Sequence, residues 1–270
     1  MIAPIAPGRW ALNGAAAAAL GFVLLPLVLV VWLAFFEQPI PAFPPRGYSL
    51  KWFFAISENP KFVEGFWLSL EVAVAAMVAG LAVGVPAALC LARFRFPGRE
   101  PLASLLMLPL VVPGIVLGTA LYVFDVEATI WTELPILGSI AALVVGHILI
   151  VIPWSARLVS ASLAGFDRSI EEAAQNLGAT PFTTFRRVTL PAIRPGIVAA
   201  ALFGFVVSFG NLEMTLFLVG AGRTTLPITI LQYLEWRIDP TVAAVSVLQI
   251  VLIGSAMVVT DRFVKLARVV

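Results

Sequence analysis

Apolar and polar positions along this chain come in long blocks rather than with the short periods of a soluble fold. Apolar runs cover 12–36, 66–90, 102–124, 138–160, 195–219 and 241–260. A helix needs about 20 residues to cross about 30 Å of hydrocarbon, so each run is predicted to be one transmembrane span. Pro and Gly recur within the runs, at Pro26, Gly80, Gly84, Pro86, Pro109, Pro113, Gly114, Gly118 and Pro153. Membrane helices tolerate such residues where neighbours satisfy the freed backbone groups, and small residues let helices approach closely. The pattern predicts an all-α integral membrane protein, a six-span bundle forming a single domain over 1–270.

The segments between the runs carry their own signals. Pro39-Ile40-Pro41-Ala42-Phe43-Pro44-Pro45 reads as an extended connector, and 50–64, with Trp52, Phe53, Phe54 and Phe62 and followed by Phe66, as a surface helix anchored at the membrane interface. A polar island, 165–194, separates the fourth and fifth runs. Within it Ser169-Ile170-Glu171-Glu172 fits a capping box, with the Ser hydroxyl accepting from a backbone N–H three residues on and Glu172 reaching back. Ala173, Ala174, Gln175 and Leu177 favour helix, and Gly178 stands where a left-handed residue would stop it. Thr180-Pro181 then predicts a second short helix over 182–188, ended by Leu190-Pro191. Two short helices joined by a tight turn suit either a stiff loop holding two spans in register or a docking element.

Composition strengthens the membrane reading: 61% of the residues are hydrophobic and 12% charged, far from a soluble domain. The first run continues through Phe36 without a small-residue cleavage pattern, as expected of an uncleaved first helix. With six spans, both termini share a face with loops 91–101 and 161–194. Arg9, Arg93, Arg95, Arg99, Arg157, Arg168, Arg186, Arg187, Arg194, Arg262, Lys265 and Arg268 fall there, twelve of the 17 basic residues, which predicts that this face is cytoplasmic. On the opposite side, loop 125–137 holds Asp125, Glu127 and Glu133 and no basic residue, so the outer surface is expected to be locally acidic.

Ionisable groups inside spans are costly and default to functional hypotheses. Glu213 lies in Ser208-Phe209-Gly210-Asn211-Leu212-Glu213-Met214-Thr215, where Gly210 can loosen the helix. Glu213, with Asn211 and Thr215, is the predicted substrate-pathway group. Glu71 is expected to snorkel toward a boundary, the lone His147 to serve helix packing, and the single Cys90 to pack against lipid or a neighbouring helix. The chain lacks a phosphate-binding G-x-x-x-x-G-K-[ST] loop, an H-E-x-x-H pair and a nucleophile elbow. No enzymatic site, metal site or nucleic-acid partner is expected.

Glu172-Ala173-Ala174, three residues, Gly178, nine residues, Val188, one residue, Leu190-Pro191 resembles the EAA motif of permease subunits of binding-protein-dependent ABC importers. That motif is E-A-A-x-x-x-G, nine residues, then I-x-L-P, so the sequence departs only at Val188. Arg93-Phe94-Arg95-Phe96-Pro97-Gly98-Arg99 and Leu108-Pro109-Leu110-Val111-Val112-Pro113 are similar to segments recurring in the family. Ser208 to Gly220, Thr225-Leu226-Pro227-Ile228 and Asp239-Pro240-Thr241 are similar to its spermidine/putrescine-type branch.

The resemblance implies a type I importer (MetI-like) bundle in a bacterial cytoplasmic (inner) membrane. It makes Glu172, Ala173, Ala174, Gly178, Leu190 and Pro191 the ATPase-coupling residues. It also implies cytoplasmic ATPase subunits that carry ATP and Mg, this chain binding no cofactor of its own. A second permease, usually a different chain in that branch, would complete the pathway, and an extracytoplasmic binding protein would deliver a small solute such as a polyamine or similar cation. The rival reading is an ion-coupled secondary transporter, against which the two halves show no matched broken helices.

Overall fold

The computed structural model describes the backbone of residues 7–264 and the side chains of 12–262. The side chains of Arg9, Lys265 and Arg268 lie outside the described residues. Helices run α1 Pro7–Leu33, α2 Lys51–Glu58, α3 Pro60–Arg93, α4 Arg99–Val111, α5 Gly114–Thr132, α6 Ile140–Ala164, α7 Ser169–Asn176, α8 Pro181–Thr184, a π-helical turn Phe185–Thr189, α9 Leu190–Phe209, α10 Thr215–Leu218, α11 Leu226–Trp236 and α12 Thr241–Val264. Among the described residues six helical stretches are long and apolar enough to cross a membrane: Leu12–Leu33, Pro60–Arg93, Gly114–Thr132, Ile140–Ala164, Pro181–Phe209 and Thr241–Arg262.

Four boundaries differ from the sequence reading. The surface helix expected over 50–64 is only α2, because Pro60 starts a new helix in which Phe62 and Phe66 belong to the second span. The third apolar run is broken at Val112-Pro113, since Pro113 lacks an N–H and drives its predecessor extended, at ψ 129° for Val112. The membrane-length helix after that break, α5, runs on to Thr132. Asp125 and Glu127 are therefore helical, and Asp125 is buried with Oδ2 unpartnered among the described residues. The expected acidic outer loop 125–137 shrinks to a short turn after Thr132 that keeps Glu133 alone of the three carboxylates. Finally, Leu190-Pro191 does not end the second short helix. The Leu190 N–H reaches back five residues to the Phe185 carbonyl, and the chain continues through the π turn into α9. The wide turn accommodates Pro191, whose ring would otherwise crowd the carbonyl of Arg187.

The chain divides into two compact units, 1–60 with 232–252 and 61–231 with 253–270. In the first, the Pro-rich connector folds back on itself rather than extending. The Glu37 N–H donates to the Gly47 carbonyl at 3.0 Å and the Ser49 N–H to that of Phe35 at 2.8 Å. Phe36 is enclosed by the rings of Trp32, Phe43 and Tyr48, and the Trp52 indole donates to its carbonyl at 2.6 Å. Aromatic burial supplies a closure that a run of prolines without free N–H groups cannot.

In the second unit α6 is the central helix, with more than half of its most apolar stretch buried. Gly80 and Gly84 of α3 lie against Val151 and Ser155 of α6, and Gly204 of α9 packs on Val151 from another side. A side chain at any of these glycines would overlap α6, so their absence sets the close helix spacing. Val72, Ala76, Leu143, Ile150, Val151, Met214 and Leu218 form one apolar cluster there, and Ala88, Val159, Ile193 and Ala200 another.

Candidate functional site

The polar island forms a two-helix elbow whose local geometry is set by a few residues. Arg168, not Ser169, stands at the N-cap of α7, and the preceding Asp167 serves the first turn: its Oδ1 accepts from the Ser169 N–H at 2.9 Å. That bond holds the Asp167 carboxyl below its ordinary range. Ser169 is already inside the helix, so the expected reciprocal box with Glu172 does not form. At the other end Gly178 adopts φ +89°, as expected. The Gly178 N–H donates to the Gln175 carbonyl at 2.9 Å and the Ala179 N–H to that of Ala174 at 3.1 Å, the paired bonds of a Schellman cap. Thr180 then caps α8 through its side chain, accepting from the Thr183 N–H at 3.3 Å, with Pro181 in the first turn.

Helix α7 is amphipathic but turned inside out. Ile170, Ala173, Ala174 and Leu177 recur at helical spacing and would face the core of an ordinary surface helix. Here Ile170 is 50% exposed, Leu177 89% and, on the neighbouring turn, Phe182 72%. The inward side chain is instead Glu171, 6% exposed. Its Oε1 accepts from Arg93 Nη2, at the end of α3, and from the Thr189 hydroxyl, in the π turn. Arg93 Nη2 also lies 3.3 Å from Thr189 Oγ1, closing a triangle that fastens three separate segments.

Of the predicted coupling residues, Glu172 and Ala173 are exposed on α7. Ala174 and Gly178 join Leu177, Thr183, Arg187 and Val188 around an open hollow of about 380 Å³. Leu190 and Pro191 lie beyond the π turn, in the first turn of α9 and outside that hollow. Sequence reasoning missed Glu171, Arg93 and Thr189 as a unit. The available signal was the doubled Glu171-Glu172: neighbours on a helix point about 100° apart, so both cannot face solvent squarely.

The second predicted group lies elsewhere, where α9 stops at Phe209 and α10 begins at Thr215. Asn211 braces this break, its Oδ1 accepting from the N–H groups of Met214 at 3.2 Å and Thr215 at 3.3 Å. Thr215 is fully buried. Its hydroxyl donates to the Asn211 carbonyl at 2.8 Å and lies 3.1 Å from His147 Nε2. On the other side of the ring His147 Nδ1 lies 2.7 Å from Ser208 Oγ, so the imidazole bridges the two hydroxyls. Glu213 is the exposed member of the predicted trio. Its carboxylate lies against Gly114, the first residue of α5, where a side chain would overlap it, and where the helix N-terminus favours negative charge. Glu213, expected inside the fifth span, thus lies past the end of α9, where the break after α9 meets the break before α5. Among the described residues no group of three His, Cys, Asp or Glu side chains could hold a metal ion.

Residues 80–269 match the family described as binding-protein-dependent transport system inner membrane component. The chain is 31% identical over 238 residues to the putrescine transport system permease protein PotI of Escherichia coli (strain K12), covering 87% of this chain and 84% of that one. It is 32% identical over 244 residues to the molybdenum transport system permease protein ModB of Mycobacterium bovis, covering 86% and 90%. Among solved structures, an inward-facing MetNI methionine ABC transporter superposes with a TM-score of 0.63 at 25% identity, over 76% of this chain and 95% of that one.

Proposed function

Because the chain belongs to the family of binding-protein-dependent transport system inner membrane components, and is thus a permease subunit of an ABC importer, we propose that the α7–α8 elbow is where a separate cytoplasmic ATPase engages it. The inside-out helix carries this reading. Ile170, Leu177 and Phe182 offer an exposed apolar surface on a capped, rigid support, and such a patch marks a partner interface. The partner holds ATP and Mg, and its closure moves the elbow and, through it, the spans. The family match favours this ATP-driven cycle over ion coupling. A second permease completes the pathway, an extracytoplasmic binding protein loads it, and both termini face the cytoplasm of a bacterial inner membrane.

The test is copurification of the ATPase with the permease from membranes. Leu177→Asp with Phe182→Asp is expected to reduce the bound ATPase at least tenfold while insertion and yield are unchanged. Retention of the full complement of ATPase would overturn the reading.

For the substrate we propose a small organic cation of the polyamine class. Identity does not decide it, since the putrescine and molybdenum permeases share 31% and 32% of their matched residues with this chain. An exposed carboxylate at the meeting of two broken spans favours a cation over an oxyanion. Glu213→Gln is expected to lower putrescine uptake about tenfold. Undiminished putrescine uptake, or molybdate uptake lost in its place, would remove the cation assignment.

A further inference from the structure

We propose that Arg93, Glu171 and Thr189 form a transmission clamp, positioning residues that carry movement of the ATPase-engaging elbow to the end of the second span. This rests on the coupling reading above and names the residues inside the permease that make it work. Each corner belongs to a different segment: Arg93 ends α3, Glu171 lies in the first turn of α7, and Thr189 closes the π turn that leads into α9. All three converge on one oxygen, Glu171 Oε1 or its immediate neighbour Thr189 Oγ1.

The bonding is directional and largely enclosed, the Glu171 side chain being 8% exposed and that of Arg93 27%. A charge-assisted bond in such a setting resists stretching far more than apolar contacts, which can slide. The charges also suit their helices, with Arg93 in the last turn of α3 and Glu171 in the first turn of α7. A push on the exposed face of α7 therefore reaches two spans at once. It reaches α9 through covalent continuity across the π turn, and α3 through the polar contacts of Arg93 with Glu171 and Thr189. Among the described residues no other ion pair ties α7 to a span.

Cys90, the chain's single cysteine, is exposed and one helical turn before Arg93, so it reports on the clamped end of α3. The experiment uses the assembled transporter with cysteine-free partner subunits, an environment-sensitive fluorophore on Cys90, and ATP with vanadate to trap the closed ATPase. In the parent complex, trapping is expected to shift the Cys90 signal. In Glu171→Gln, which keeps shape and removes charge, and in Thr189→Val, vanadate trapping and ATPase copurification are expected to persist while the Cys90 shift falls at least fivefold. Putrescine uptake is expected to fall with it. Reversing the pair in Arg93→Glu with Glu171→Arg is expected to restore at least a third of the shift.

An unchanged Cys90 shift in Glu171→Gln, or no shift in the parent complex, overturns the clamp. So does recovery of no part of the signal in the reversed pair when trapping is intact. Loss of the ATPase from the Leu177→Asp, Phe182→Asp permease tests the docking reading separately, so failure of one proposal is not mistaken for failure of the other.

Discussion

At the scale of single residues, the most informative side chains are those whose surroundings leave no slack. Gly114 is one: a Cβ there would occupy the place of the Glu213 carboxylate. Gly114→Ala is expected to displace that carboxylate and to reproduce the uptake loss of Glu213→Gln without altering any charge, measured as putrescine transport at equal expression. His147 is another, buried between Ser208 and Thr215. His147→Leu leaves the enclosed Ser208 hydroxyl without its imidazole partner, which costs about 1–3 kcal/mol, while the Thr215 hydroxyl keeps its bond to the Asn211 carbonyl. The expected outcome is a lower thermal midpoint of the purified complex in detergent. Sequence alone identified His147 as a packing residue and Glu213 as unusual, because a polar group in an apolar run stands out. It could not show that Asn211 spends its side-chain oxygen on backbone N–H groups, since that depends on where α9 ends.

At the scale of elements, local rules were legible where they involve only neighbours along the chain. Gly178 and Thr180-Pro181 behave as their chemistry dictates, and the break after Phe209 falls at Gly210. The failures share one physical source, the longer-range competition for a carbonyl or a carboxylate. Ser169 became the first residue of α7 and gives its N–H to the Asp167 carboxylate, and Pro191 was absorbed by a π turn instead of ending a helix. Hydropathy averaged over a run also hid Pro113, whose effect is on backbone geometry rather than polarity. The left-handed Gly178 gives a direct test. Gly178→Asn, which tolerates positive φ, is expected to keep uptake within about twofold, whereas Gly178→Pro fixes φ near −65° and removes the N–H that reaches Gln175. Uptake and substrate-stimulated ATP hydrolysis should fall together in the proline variant while membrane insertion is normal. The Asp167 carboxylate adds a pH dependence. Its carboxyl is depressed in the folded chain, so its contribution is complete at neutral pH and is lost only as pH falls below the ordinary carboxylate range through the lowered value.

For the whole molecule, composition and block length were enough to indicate a six-span helical membrane protein, because the hydrocarbon thickness admits few alternatives. What they left open is which charges lie within a helix and which lie in a loop, and the misplacement of Asp125 shows the consequence. Of the three carboxylates first considered, Asp125 is buried within α5, while Glu127 and Glu133 stay exposed. At this scale the energy source is the decisive observable. Uptake by the reconstituted transporter is expected to require ATP and to survive collapse of ion gradients. Transport that continues without nucleotide and stops with a protonophore would exclude the ATP-driven cycle.

The second span has a mechanical implication of its own. With 34 residues at the rise of an α-helix it is about 50 Å long, against about 30 Å of hydrocarbon. Set upright, such a rod is about 20 Å longer than the apolar slab is thick, and its glycines seat it against α6 partway along. It is built as a lever whose fulcrum is that seat, so a tilt of about 10° swings one tip about 9 Å relative to the other. Small angular changes at the pivot become gate-sized displacements at the ends.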